Sequence, residues 1–130
     1  MDTPLLGFSH VQLRVHDVAA SSHWYSTVLG VEPYLAADDG TYVALNHRPA
    51  HVTIVISSRI DGADAGVPDA PVDHLAFAVP NGDLLRQWAD HLTEVGIDHP
   101  GVILEDGRPS LQLVDPDGIS IELVAPAPRP

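Results

Sequence analysis

Two stretches of this chain repeat each other at a nearly constant offset. Ser9-His10-Val11-Gln12-Leu13-Arg14-Val15 is answered by Asp73-His74-Leu75-Ala76-Phe77-Ala78-Val79. His10 matches His74, Val15 matches Val79 and Trp24 matches Trp88, all at an offset of 64. Leu29-Gly30-Val31 matches Val95-Gly96-Ile97 at 66, and Thr53-Ile54-Val55-Ile56 matches Ser120-Ile121-Glu122-Leu123 at 67. Small loop insertions produce such a drift. Two unrelated amphipathic patterns would not keep His, Trp and Gly in step. A chain of 130 residues with this repeat is expected to be one domain built from two copies of one supersecondary unit.

Each copy reads strand, helix, strand, strand, strand. In the first, residues 8–15 alternate as a strand, and Asp17 is placed to cap a helix from Val18 to Leu29 that Gly30 ends. The apolar positions Val18, Trp24, Tyr25, Val28 and Leu29 fall on one face of it. Strands follow at Val31–Leu35, Tyr42–Asn46 and Val52–Ser57, separated by turn signals at Asp38-Asp39-Gly40 and Arg48-Pro49-Ala50. In the second copy a strand covers 72–79, and Asn81 or Asp83 caps a helix with Leu84, Leu85, Trp88, Ala89, Leu92 and Val95 on one face. Strands near Val102–Leu104, Leu111–Val114 and Ile119–Val124 complete it, the last pair joined by Asp115-Pro116-Asp117-Gly118. Residues 59–71, rich in Gly, Pro and Asp, read as a linker between modules at 5–58 and 72–125.

Composition removes several chemistries. Eighteen acidic side chains stand against six basic ones, which argues against nucleic acid or an anionic membrane as partner. All six basic residues are arginines, so no lysine serves as Schiff base or general base. Cysteine is absent, which excludes a thiolate nucleophile, a disulfide within the chain and Cys-ligated zinc. No apolar run approaches the roughly 18 residues of a membrane span, and no leader pattern opens the chain, so a soluble cytoplasmic protein is expected. Eight histidines, many carboxylates and the Ser, Thr and Tyr hydroxyls remain.

A divalent metal needs several donors converging on one point. Equivalent slots in two related modules supply His10 and His74. Glu122 is the third candidate, because alternation puts it with Ser120 and Val124 on the face opposite Ile119, Ile121 and Leu123. A carboxylate centred in an apolar strand is costly to bury unless a cation compensates it. A single His on such a strand is ordinarily a satisfied or surface residue, and a Glu near a last strand's end is ordinarily solvated. The duplicated placement favours a metal site over those readings. Gln12 and Arg14 share the His10 face. Arg14 either anchors an anionic substrate group or is a solvated strand-end residue. Gln112 is a neutral hydrogen-bonding candidate, and His47, beside a turn with His51, is a candidate for the rim. His16, His23, His91 and His99 read as surface residues.

With these residues in view, the chain resembles the vicinal oxygen chelate superfamily of glyoxalase I, fosfomycin- and bleomycin-resistance proteins and extradiol dioxygenases. The resemblance covers nearly the whole chain. It rests on the stretches from His10 to Asp17, Trp24 to Gly30, Asp73 to Val79 and Asp115 to Leu123. It implies an α+β fold of two βαβββ modules forming a curved mixed sheet around a metal, often in a homodimer. It also implies that His10, His74 and Glu122 stand at the metal-ligand positions. The fourth ligand of metalloglyoxalases falls at Val55, flanked by Thr53 and Ser57, so a two-His one-carboxylate site with open positions is expected. Arg14 matches an arginine that glyoxalase I uses on its substrate. Gln112 stands where extradiol dioxygenases have a Tyr, and Gln12 where fosfomycin-type transferases have a Thr.

The expectation is therefore a divalent-metal-dependent enzyme acting on a small substrate chelated through adjacent oxygens. Glu122 would be catalytic as well as a ligand. Fe(II) or Mn(II) is favoured, with Zn(II) and Ni(II) as alternatives. The ligand set leans to dioxygenase-like chemistry. A lyase, isomerase or transferase, or a non-catalytic protein that binds a drug or metabolite, are the alternatives.

Overall fold

The computed structural model describes residues 8–59, 74–105 and 107–127. The chain divides into two compact units, Met1–Gly66 and Val67–Pro130. Residues 60–71 of the expected linker and the first two residues of the expected 72–79 strand lie outside the described residues.

In the first unit β1 (Val11–Val15) leads into α1 (Val18–Leu29), then β2 (Glu32–Ala36), β3 (Tyr42–His47) and β4 (Val52–Ser58). The sheet order is β1-β4-β3-β2. β1 and β4 are parallel and the other pairs antiparallel. The helix begins where the sequence indicates: Asp17 Oδ1 accepts the Ala20 N–H at 2.9 Å. It ends at Gly30, which adopts φ 75°, a left-handed conformation that costs glycine little, and donates its N–H to Ser26 O. α1 packs on β3 and β4; Tyr25, Val28 and Leu29 are buried on the helix and Leu45, Ile54 and Ile56 on the strands, while Trp24 is half-buried. Ser21 and Ser22 are also buried on this helix, so its inner face is wider than its apolar residues alone mark out.

The second unit repeats the order with β5 (His74–Ala78), α2 (Gly82–Glu94), β6 (Ile103–Glu105), β7 (Arg108–Val114) and β8 (Ser120–Val124). Its sheet runs β5-β8-β7-β6, again with the first pair parallel. Asn81 caps α2, its Oδ1 accepting from Leu84 N. Leu85 and Leu92 are the fully buried residues of the helix. Leu84, expected on the apolar face, is exposed. Leu111, Leu113, Ile121 and Leu123 form the sheet's side of this core. The Asp115 carboxylate, itself buried, accepts the N–H groups of Asp117 and Ile119 and so ties the β7–β8 turn. This is the α+β arrangement of two βαβββ modules that the repeat implies.

The registers agree as well. Gln12 pairs with Val55, which pairs with Ala44 in the first sheet; Ala76 pairs with Glu122, which pairs with Gln112 in the second. Val55 and Glu122 thus occupy the same row of their sheets. Several strand ends shift by one residue from the sequence reading, and two starts shift by three. β1 begins at Val11, which leaves His10 just before the strand, and β7 starts three residues earlier than expected, at Arg108.

Candidate functional site

The second sheet carries a cluster of polar side chains around Glu122. Glu122 sits in the middle of β8, and its side chain is only 16% exposed. Alternation along β8 sends Ile121 and Leu123 into the core and Glu122 to the opposite face. Ala76, its neighbour on β5, is too small to cover it. His74 opens β5 and shares the face of Ala76. Its Nε2 lies 3.8 Å from Glu122 Oε2.

Four further side chains join them. The Ser110 hydroxyl on β7 donates to Glu122 Oε1 at 2.7 Å. Gln112, the register partner of Glu122, donates from Nε2 to Glu105 Oε2 at 2.7 Å. Arg108, at the start of β7, lines the same cleft as His74 and Glu122, a space of about 680 Å³. The Ser110 hydrogen bond is the main reason that the Glu122 carboxyl sits below the usual carboxylate range. Partial burial opposes it, while Glu105 and the charges of His74 and Arg108 add to it. Glu122 is therefore an anion at neutral pH, with Oε1 committed to the sheet and Oε2 turned towards His74.

The first unit holds the remaining expected residues. His10 is exposed, with Nδ1 3.0 Å from Ser9 Oγ. Gln12 donates to Ser57 Oγ at 3.2 Å, and Ser57 in turn donates to Leu13 O. Arg14 shares the exposed face of β1 with Gln12. His47 lies apart from this row, where Nδ1 accepts the Ala50 N–H at 3.2 Å, and it lines a separate cleft with Phe8, Arg48 and His51. His51 adopts φ 54°, an uncommon conformation for a residue with a side chain. His99 is half-buried rather than a free surface residue: Nδ1 accepts the Gly101 N–H and Nε2 lies 2.9 Å from Thr93 Oγ1.

Structure thus brings His74, Glu122 and Gln112 together within one sheet and adds Ser110, Glu105 and Arg108. Ser110 shares the face of Gln112 by alternation along β7, but nothing local marks a serine as the partner of a particular carboxylate. Glu105 and Arg108 sit on a hairpin whose register only strand pairing sets.

The spacing of the two donors suits a divalent ion. Two donors each about 2.1 Å from one ion lie about 3 Å apart at a right angle and about 4.2 Å apart at most. The 3.8 Å separation of His74 Nε2 and Glu122 Oε2 falls inside that range. An imidazole and an ionised carboxylate suit Fe, Mn, Zn or Ni. Among the described residues no group of three or more His, Cys, Asp or Glu side chains converges. In the second unit His74 and Glu122 are a pair of donors at a separation that one ion could span.

A family model described as glyoxalase/bleomycin resistance protein/dioxygenase superfamily matches residues 7–123. The chain belongs to that superfamily. Solved structures of its members share the fold. The lactoylglutathione lyase of Agrobacterium tumefaciens is 19% identical at a TM-score of 0.76, covering 95% of this chain and 96% of its own. A glyoxylase/bleomycin resistance protein/dioxygenase domain from Frankia is 25% identical at 0.77, covering 94% and 98%. A fosfomycin resistance protein of Listeria monocytogenes is 17% identical at 0.71, covering 95% and 96%. No curated protein matches the chain. Among the described residues no helix is long and apolar enough to cross a membrane.

Proposed function

We propose that this superfamily member is a divalent-metal-dependent enzyme whose small substrate binds through adjacent oxygens. One observation carries the reading: His74 and Glu122 face each other at 3.8 Å on an open sheet face, with the carboxylate held ionised by Ser110. His10, in the matching slot of the first unit, is taken as the third ligand. Val55 is the apolar counterpart of Glu122, so three protein ligands leave positions for substrate.

An ion held by these residues would supply Lewis-acid stabilisation of an enolate-like or oxyanionic intermediate or, if iron, dioxygen activation. The protein's own contribution is positional and electrostatic. Ser110 fixes the Glu122 carboxylate so that only Oε2 is offered to the cleft. Ala76 and Ala78 keep the floor low enough for a substrate to approach. Gln112 and Glu105 form a hydrogen-bonded pair beside Glu122 that can orient a substrate hydroxyl or hold its proton. The two-His one-carboxylate set leans to dioxygenase-like chemistry over lyase, isomerase or transferase chemistry. In solution the protein is taken to be a cytoplasmic homodimer.

Metal analysis of protein purified without chelator tests the reading, with His74→Ala alongside. About one ion per chain in the wild type, lost in the variant, is expected. Clearly substoichiometric metal together with unchanged ligand affinity in His74→Ala would favour a non-catalytic binding protein. Anaerobic Fe(II) reconstitution followed by oxygen uptake over a catechol panel decides the lean: no uptake with any catechol removes it.

A further inference from the structure

The turn between β3 and β4 holds a cleft of about 390 Å³, lined by Asn46, His47, Arg48, His51 and Thr53 among others. Among the described residues no carboxylate lines it, although the chain has 18 acidic side chains and a formal charge of −12. The Arg48 side chain makes no hydrogen bond or ion pair among the described residues; only its carbonyl is used, accepting the His51 N–H at 3.1 Å. The other described arginines all interact. Arg86 pairs with Asp83, the charge of Arg108 acts on Glu122, and Arg14 and Arg59 have contacts of their own.

His47 is a donor as well. Its Nδ1 accepts the Ala50 N–H at 3.2 Å, so the neutral ring carries its proton on Nε2. That N–H has no acceptor among the described residues. The tautomer also argues against a metal shared by His47 and His51. A metal at Nε2 needs the lone pair there, and moving the proton to Nδ1 would set two N–H groups against each other. His51 is held at φ 54°, and every other described residue with positive φ is a glycine. An L side chain in that region costs free energy that glycine would not. The turn keeps an imidazole there all the same, and it lines the cleft. Strain of this kind clusters where ligands are held.

A guanidinium and two imidazoles with no carboxylate among them call for a negatively charged acceptor with several oxygens. The fork of Arg48 alone would fill a carboxylate, whereas a phosphoryl group has three terminal oxygens to share among three side chains. We propose that the β3–β4 turn is a binding site for a phosphoryl group, free or at the end of a small ester, held by Arg48, His47 and His51. This site needs no metal ion. Phe8 also lines the cleft and is 91% exposed, an apolar surface on which the body of an ester would lie.

The test adds inorganic phosphate to the full chain at constant pH and ionic strength while the resonances of residues 46–53 are followed. A saturable shift with a Kd of about 1 mM or below is expected. Arg48→Gln should weaken binding about tenfold, the loss of one charge-assisted contact. His51→Gly should weaken it about threefold. It should also raise Tm by a few degrees, because glycine adopts φ 54° freely. His74→Ala, which removes a ligand of the proposed metal, should respond as the wild type does. A lost response there would put the phosphate on the metal and overturn the inference. It also falls if no shift saturates, if acetate binds as tightly as phosphate, or if Arg48→Gln or His51→Gly binds phosphate like the wild type. Phenyl phosphate separates two supporting outcomes. Several-fold tighter binding than phosphate assigns the site to an ester lying on Phe8; equal or weaker binding assigns it to the free ion.

Discussion

Ser110 and Glu122 are joined across β7 and β8 by a 2.7 Å hydrogen bond that occupies one carboxylate oxygen and leaves the other 3.8 Å from His74 Nε2. A neutral serine thus decides which way a charged ligand candidate points. The same bond is the largest influence lowering the Glu122 pKa. Removing it is the most direct way to separate the sheet's role from that of the histidine.

In Ser110→Ala the Glu122 pKa should rise towards the ordinary carboxylate value, because partial burial then acts with less opposition. The sign for stability follows. A carboxyl whose folded pKa is depressed contributes stability that is present above its unfolded pKa and lost as pH falls through the folded one. The variant should therefore lose less stability than the wild type on acidification through that window. A carboxyl ¹³C titration of Glu122 reads the midpoint directly; an unchanged midpoint would count against the serine.

Metal addition should stabilise the fold in proportion to occupancy. At a free ion concentration 100-fold above Kd, one site contributes about 2.7 kcal/mol. For a domain of this size that is a rise in Tm of roughly 8–10 °C. His74→Ala and Glu122→Gln should each abolish most of the rise. Their losses should exceed the roughly 10–100-fold in metal affinity typical of residues that only support a ligand. A rise that survives in both variants would place the ion elsewhere.

Ile121 is fully buried directly beside Glu122, on the opposite face of β8. Ile121→Ala should cost about 2–5 kcal/mol, from lost transfer energy and the cavity left behind. Val114, 60% exposed at the end of β7, should tolerate the same truncation within about 0.5 kcal/mol. Urea unfolding of the two variants checks the contrast. Equal losses would mean that the two faces of this sheet are not divided as described.

Asp115 tests the turn that delivers β8. Its buried carboxylate accepts two N–H groups, at 2.9 and 2.8 Å. Asp115→Ala leaves both without this acceptor and should cost about 1–3 kcal/mol. Asp115→Asn keeps an acceptor oxygen at the same place and should recover most of the loss. If the two variants unfold at the same urea concentration, the carboxylate's acceptor role is not what holds the turn.

The helix ends were legible because their signals are local. Asp17 and Asn81 cap residues three positions on, and Gly30 closes its own turn. The order of elements along each unit was legible from the repeat, whereas the order of strands in each sheet came only from the pairing. The face of Glu122 followed from a period of two. Leu84 fits the helical period of α2, yet it lies at the margin of the apolar stripe and is exposed.

The sequence by itself determined that this chain makes two βαβββ modules, and it singled out His10, His74 and Glu122 as the residues to watch. Periodicity, capping and repetition act over a few residues or recur along the chain, so they can be read in one dimension. Only tertiary structure decided what surrounds Glu122. Ser110 reaches it from twelve residues away, His74 from a parallel strand, and Glu105 and Arg108 from a hairpin with its own register. Those neighbours are set by strand pairing, which brings distant residues within hydrogen-bonding range without leaving a pattern in the intervening sequence. The charge state and direction of the carboxylate, on which the proposed chemistry depends, are properties of that pairing.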